Sequence, residues 1–153
     1  MEKVAMLIIV LMTGLISQAS GQDYKKIKKL VDKAYYQQAW KLVKQELVAS
    51  PDDHLLNFYA GLSKLELYQQ DEALEYLLKS DKRANDKYHF YLAKAYFEND
   101  KITEAKQTAA LVNRDQLTEK EIFLSDELFI SYETLRQSPE HVVVKNLGNE
   151  INS

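Results

Sequence analysis

Asp53 to Leu78 reads DHLLNFYAGLSKLELYQQDEALEYLL, and this stretch decides the fold. Its apolar residues recur at helical spacing, stop at Tyr68-Gln69-Gln70-Asp71, and resume at Ala73, Leu74, Leu77 and Leu78. Two short amphipathic helices meeting at a turn satisfy that pattern. Stretches on either side copy it.

Working outward, breakers are few. Proline occurs only at Pro51 and Pro139, and glycine only at Gly14, Gly21, Gly61 and Gly148. No alternating run of strand type appears, so the class is all-α. The spacing predicts helices over Asp23–Lys33, Gln37–Ala49, Asp52–Leu67, Asp71–Ser80, Asp86–Glu98, Thr103–Asn113, Thr118–Arg136 and Pro139–Leu147. Thr118-Glu119-Lys120-Glu121 reads as a capping box, and Ser138 before Pro139 as an N-cap with proline at the first helical position.

Self-similarity carries the argument further. Ala39, Ala73 and Ala105 each follow a polar turn and open a second helix, at separations of 34 and 32 residues. Twelve residues before each lie Ile27, Gly61 and Ala93. In the last two pairs both members are small, as two closely crossing helix backbones require. With the terminal Pro51 of the first unit, these residues resemble the tetratricopeptide repeat (TPR), a helix-turn-helix unit of about 34 residues. The family's tryptophan position holds Asp23, Asn57 and His89 in the three units. The resemblance implies a right-handed α-solenoid of about three TPR-like repeats, at 22–53, 54–85 and 86–117, closed by a C-terminal capping helical pair at 118–153. The alternative for that last, broadly apolar pair is an oligomer or partner surface.

The first residues differ in kind. Val4 to Ile16 is apolar, follows Lys3 and leads to Ser17, Ala19, Ser20 and Gly21, the shape of a secretory signal peptide over 1–21. Thirteen residues are too few to span a bilayer as a helix. Cleavage near Ala19 or Gly21 leaves a single helical domain, 22–153, with neither Cys nor Met, no integral membrane segment and a net charge still of -3. That composition suits an oxidising compartment without depending on one. The expected location is exported and, on the short leader and the family resemblance, periplasmic in a bacterium. A mildly acidic chain gives no general reason to bind nucleic acid.

Catalytic chemistry finds little support. His54, His89 and His141 are scattered, and no metal-ligating, phosphate-cradling or nucleophile motif is present, so no catalytic residue, metal or cofactor is expected. Of the carboxylate pairs Asp52-Asp53, Asp71-Glu72, Asp126-Glu127 and Glu119/Glu121, three fall in predicted first turns, where the helix dipole favours negative charge. Lys25, Lys26, Lys28, Lys29 and Lys33 make one basic run, read first as a solvated helix face.

The ten tyrosines say more. Tyr36, Tyr68 and Tyr96 lie where the pattern wants packing between helices. In arrays resembling this family the first helices of successive units form a concave face, which here selects Tyr24 and Lys28, then Phe58, Tyr59 and Leu62, then Phe90, Tyr91, Lys94 and Phe97. Aromatics with a few lysines suit a peptide or protein segment held by desolvated anchors. The resulting expectation is a non-enzymatic interaction adaptor of the cell envelope with a protein or peptide partner. The alternative is an envelope polysaccharide-binding module that stacks sugars on exposed Tyr, Phe and Trp40.

Overall fold

The computed structural model describes residues 21–136. The apolar stretch read as a signal peptide and the helix expected at Pro139–Leu147 lie outside them. Among the described residues there are seven α-helices and no strand: α1 Gly21–Asp32, α2 Tyr36–Ala49, α3 His54–Glu66, α4 Gln70–Lys79, α5 Tyr88–Glu98, α6 Ile102–Ala109 and α7 Glu119–Arg136. Each packs on the next in the chain, and the first helices α1, α3, α5 and α7 also touch in that order, forming one row. This is the all-helical, TPR-like stack expected.

The small residues do what their spacing demands. A Cβ built on Gly61 would lie 2.5 Å from Leu77 Cγ and 3.1 Å from the Ala73 carbonyl oxygen, so α3 and α4 cross at a distance only glycine permits. Ala39, Ala73 and Ala105 are all fully buried, and Ala93 nearly so. Pro51 sits in the exposed α2–α3 turn, where its carbonyl accepts from Asn57 Nδ2 at 2.8 Å. Asn57, at the family's tryptophan position, also donates to the Asp53 carbonyl at 2.8 Å and ties this turn to α3. Asp53 is the N-cap of α3, accepting from the Leu56 amide at 2.8 Å.

Glycine is missing from the three hairpin turns, although all three use a left-handed residue. Ala34, Tyr68 and Asp100 have φ of 59°, 58° and 58°. Each closes a Schellman motif: Tyr35 donates to the Leu30 carbonyl at 2.8 Å, Gln69 to Lys64 at 3.0 Å and Lys101 to Tyr96 at 2.9 Å. Tyr68 is therefore not an inter-helix packing residue; the turn points it outward, and it is 84% exposed. A left-handed non-glycine residue costs about 1 kcal/mol. Ala34→Gly and Tyr68→Gly should therefore each raise stability by roughly 1 kcal/mol, or about 3 °C in Tm, read by thermal denaturation.

One boundary differs clearly from the sequence pattern. The helix expected over Thr103–Asn113 ends at Ala109, and a 3-10 turn at Arg114–Gln116 follows. Past Ala109 the backbone tightens, the Leu111 amide donating to the Thr108 carbonyl at 3.0 Å and the Val112 amide to that of Ala109 at 3.1 Å, and Asn113 caps the 3-10 turn by accepting from the Asp115 amide at 3.2 Å. The capping box at Thr118 forms: the Thr118 amide donates to Glu121 Oε2 at 2.8 Å, and the Glu121 amide donates back to Thr118 Oγ1 at 3.3 Å.

α3 is the centre of the stack. Every residue from Leu56 to Leu65 is buried, so it carries no solvent face at all over that span. A helix surrounded on all sides reads as apolar all round rather than as a stripe. Of its polar exceptions, Asn57 Oδ1 and Ser63 Oγ are buried without a hydrogen-bond partner, whereas Lys64 is held. Lys64 Nζ sits 2.9 Å from Gln69 Oε1 and 2.8 Å from Glu72 Oε2, and 4.2 Å above the Trp40 ring, whose other neighbour is Tyr76 at 5.5 Å between centroids.

Candidate functional site on the first-helix row

The row of first helices bears two hollows. The first is enclosed by Lys28, Val31 and Asp32 of α1, Phe58, Tyr59 and Leu62 of α3, Asn85 and Lys87 of the α4–α5 loop, and Tyr91 of α5, with a volume of ≈ 160 Å³. Spacings of three and four put the α1 and α3 contributors on one face of each helix. A cavity of about 150 Å³ holds one benzene-sized ring, so this hollow fits a single apolar side chain. Its floor is aromatic and aliphatic. Its rim carries Lys28, 2.7 Å from Asp32, and Lys87, 2.6 Å from Glu121.

Glu121 is the polar joint of this region. It accepts from Lys87 Nζ and, through its other oxygen, from the Tyr91 hydroxyl at 2.9 Å, besides both Thr118 bonds. Burial pushes its pKa up, but the bonds from Lys87, Thr118 and Tyr91 together outweigh burial and hold it down at about 2. Burial, then the Glu121 charge, drive the Tyr91 hydroxyl far above the ordinary tyrosine range. Tyr59 is raised as well, chiefly by burial. Both phenols therefore stay protonated and can donate hydrogen bonds.

The second hollow, ≈ 240 Å³, lies between α5 and α7 and is lined by Lys94, Phe97, Glu98, Leu124, Glu127 and Leu128. A charged bridge stands beside it. Lys94 Nζ lies 2.9 Å from Glu66 Oε1 and 3.8 Å from Glu98 Oε1, joining α5 to α3. Burial raises the Glu98 pKa against the pull of Lys94.

The nine residues expected to form an open aromatic groove are thus divided. Lys28, Phe58, Tyr59, Leu62 and Tyr91 border the first hollow, and Lys94 and Phe97 the second. Phe58 and Phe90, at 1% and 2% exposure, are core side chains, and Tyr59 and Leu62, at 6% and 5%, form a floor rather than a protruding stripe. The physical reason is lateral: α1 and α5 flank α3 and close over a face that a lone hairpin would leave open. The rings of Phe58 and Tyr91, 5.8 Å apart, and of Phe90 and Tyr91, 5.0 Å apart, pack edge to face. Tyr24 is likewise a joint, donating to Asp53 Oδ2 at 2.7 Å. Burial first, then that bond and charge, push its pKa up to about 12.

Val31, Asp32, Asn85 and Lys87 were not singled out from sequence, and Glu121 was read only as a capping residue. Lys87 and Glu121 lie 34 residues apart, one repeat interval, which is the signal that could have joined them. Val31 and Asp32 follow Lys28 by three and four positions.

Elsewhere, His54 Nδ1 lies 3.4 Å from Asp81, and Arg83 reaches His54 Nε2 at 3.0 Å while also binding Asp81. Because a guanidinium only donates, Nε2 must accept, which assigns the proton to Nδ1. Arg83, through hydrogen bonds, holds Asp81 down at about 2. His89 packs on Tyr88, and burial lowers its pKa. Among the described residues no group of three or more His, Cys, Asp or Glu side chains is placed to hold a metal ion, and no helix is long and apolar enough to cross a membrane.

No protein-family model matches the chain, and no curated protein matches it. Its fold is similar to the crystal structure of the Yersinia enterocolitica type III secretion chaperone SycD in complex with a peptide of the translocator YopD. The TM-score is 0.57 at 14% identity, over 76% of this chain and 93% of that one.

Proposed function

We propose that this protein is a non-enzymatic adaptor that holds a peptide segment of a partner protein along its row of first helices. The hollow shared by α1, α3 and α5, with its aromatic and aliphatic floor and charged rim, carries the reading: three successive units contribute to it, and its size fits one anchoring side chain. Support also comes from the structure similar in fold, a chaperone with a peptide bound. The lysines on the rim and the Tyr59 hydroxyl supply donors for a peptide's carbonyl and carboxylate oxygens, so the anchor would be apolar with acceptors beside it. We also propose that the chain is exported to the envelope on its apolar leader; N-terminal sequencing of the exported protein should then begin at Ser20 or Gln22.

Filling the hollow tests the adaptor reading. Val31 lines it from α1, where it is half-buried, so Val31→Phe should occupy the space without opening a cavity. Peptides selected on the wild-type protein from a random library should share an apolar anchor. Their affinity for Val31→Phe, measured by fluorescence anisotropy, should fall at least about tenfold, or 1.4 kcal/mol. Unchanged affinity, with Tm preserved, would remove the hollow from the binding site. The polysaccharide alternative loses ground because Phe58 and Tyr59 are buried and Trp40 is engaged by Lys64 and Tyr76.

A further inference from the structure

The two ends of the stack are chemically opposite. Among the described residues no helix covers the side of α1 and α2 that faces away from α3. There, Lys26 and Leu30 of α1 with Gln38, Lys41, Leu42 and Gln45 of α2 line an open trough of ≈ 490 Å³, holding two lysines and no acid over an aliphatic floor. It is the position an upstream helix would fill if the stack continued.

At the other end, α7 turns its buried side, with Glu121 and Ser125, to α5, and presents Phe123 and Ile130, each 61% exposed, on the far side. Seven residues apart, these two share one face, and Glu119, Asp126 and Glu127 flank them there, all exposed, with Lys120 nearby and Arg114 paired to Asp126 at 2.7 Å. The last described helix thus carries two large apolar side chains, with more acids than bases around them, on the face turned away from α5.

We propose that the α7 outer face of one copy of this chain docks in the α1–α2 trough of a second copy, head to tail, continuing the stack across molecules. Phe123 and Ile130 supply the apolar ridge for the Leu30–Leu42 floor, and Glu119 and Glu127 meet Lys26 and Lys41. Charge complementarity selects this occupant: a symmetric α7–α7 pairing would bring two acidic faces together, whereas trough and ridge carry opposite signs. Such a contact is heterologous, so it propagates to chains or rings rather than stopping at a two-fold dimer.

Sedimentation equilibrium of the purified protein tests this with two surface variants. Lys26→Glu/Lys41→Glu blocks the trough and leaves α7 intact, and Phe123→Lys blocks the ridge and leaves the trough intact. Wild type should rise in average mass with concentration over about 5–500 µM, and its association should weaken about tenfold between 50 and 500 mM NaCl. Each variant alone should stay monomeric with wild-type Tm. Their mixture should form a 1:1 complex and nothing larger, a pattern that only a head-to-tail contact gives. A wild-type monomer throughout the range overturns the proposal, as does self-association of the trough variant at wild-type strength or a mixture that remains monomeric.

Discussion

Gly61→Leu should lower the unfolding free energy by more than about 3 kcal/mol, enough to remove a large part of the stability of a domain this size. Even the first added carbon meets Leu77 Cγ at 2.5 Å, and Cγ is a branch point held in the core rather than the free end of a flexible chain. Behind it lies the Ala73 carbonyl, backbone that cannot step aside without moving α4. Gly61→Ala isolates the clash. Alanine gains about 1 kcal/mol of helix propensity over glycine, against an overpacking cost of about 1–3 kcal/mol, so a modest net loss is expected. Relief should come from Leu77→Ala. That substitution alone costs about 2–5 kcal/mol, yet in its background the penalty at position 61 should largely vanish. Urea denaturation of the four proteins of this cycle measures the coupling, and additivity of the two changes would show that the crossing is not where the strain lies.

Glu121→Gln should have the second largest effect, and its signature is pH. The wild-type carboxylate, about 13% exposed, has its pKa held at about 2 against an ordinary 4.5. A depressed acid contributes stability that is fully present above its unfolded pKa and is lost as pH falls toward its folded pKa. The shift corresponds to roughly 3 kcal/mol, which partial solvent access reduces to about 2. Wild type should therefore exceed Glu121→Gln by about 2 kcal/mol from pH 5 to 8. The difference should shrink below pH 4.5 and disappear near pH 2. Because this side chain fastens α7 to Lys87 and Tyr91, amide exchange in α7 should quicken in the variant before that of α3 changes. A pH-independent difference would assign the effect to lost packing instead.

The architecture was legible because close helix crossings leave a mark in composition: Gly61 and Ala73, Ala93 and Ala105 are small for a reason that geometry alone imposes. The capping box was equally readable, since Thr118 and Glu121 act on each other at short range. Turn conformation was not, because Ala34, Tyr68 and Asp100 adopt a left-handed backbone without the glycine that normally announces it. The binding face was half legible. Helical projection found its helices and seven of the residues around its two hollows, but exposure depends on what lies alongside a helix. α3 has a neighbour on every side, so Phe58 became core, and on α5 Phe90 did likewise. The polar joint at Glu121 joins groups a full repeat apart, so no local pattern marks it and only the repeat interval could have pointed to it.

Continuous burial of α3 from Leu56 to Leu65 also sets how the chain comes apart. A two-helix fragment of α3 and α4 would turn Phe58, Tyr59 and Leu62 out to water at about 2 kcal/mol or more each, a loss comparable to the whole margin by which such a domain is folded. The middle hairpin therefore has no existence of its own. Fraying that begins at α1 or α7 can proceed only until it uncovers α3, and beyond that point the molecule unfolds cooperatively, which makes three units the smallest array this sequence can sustain.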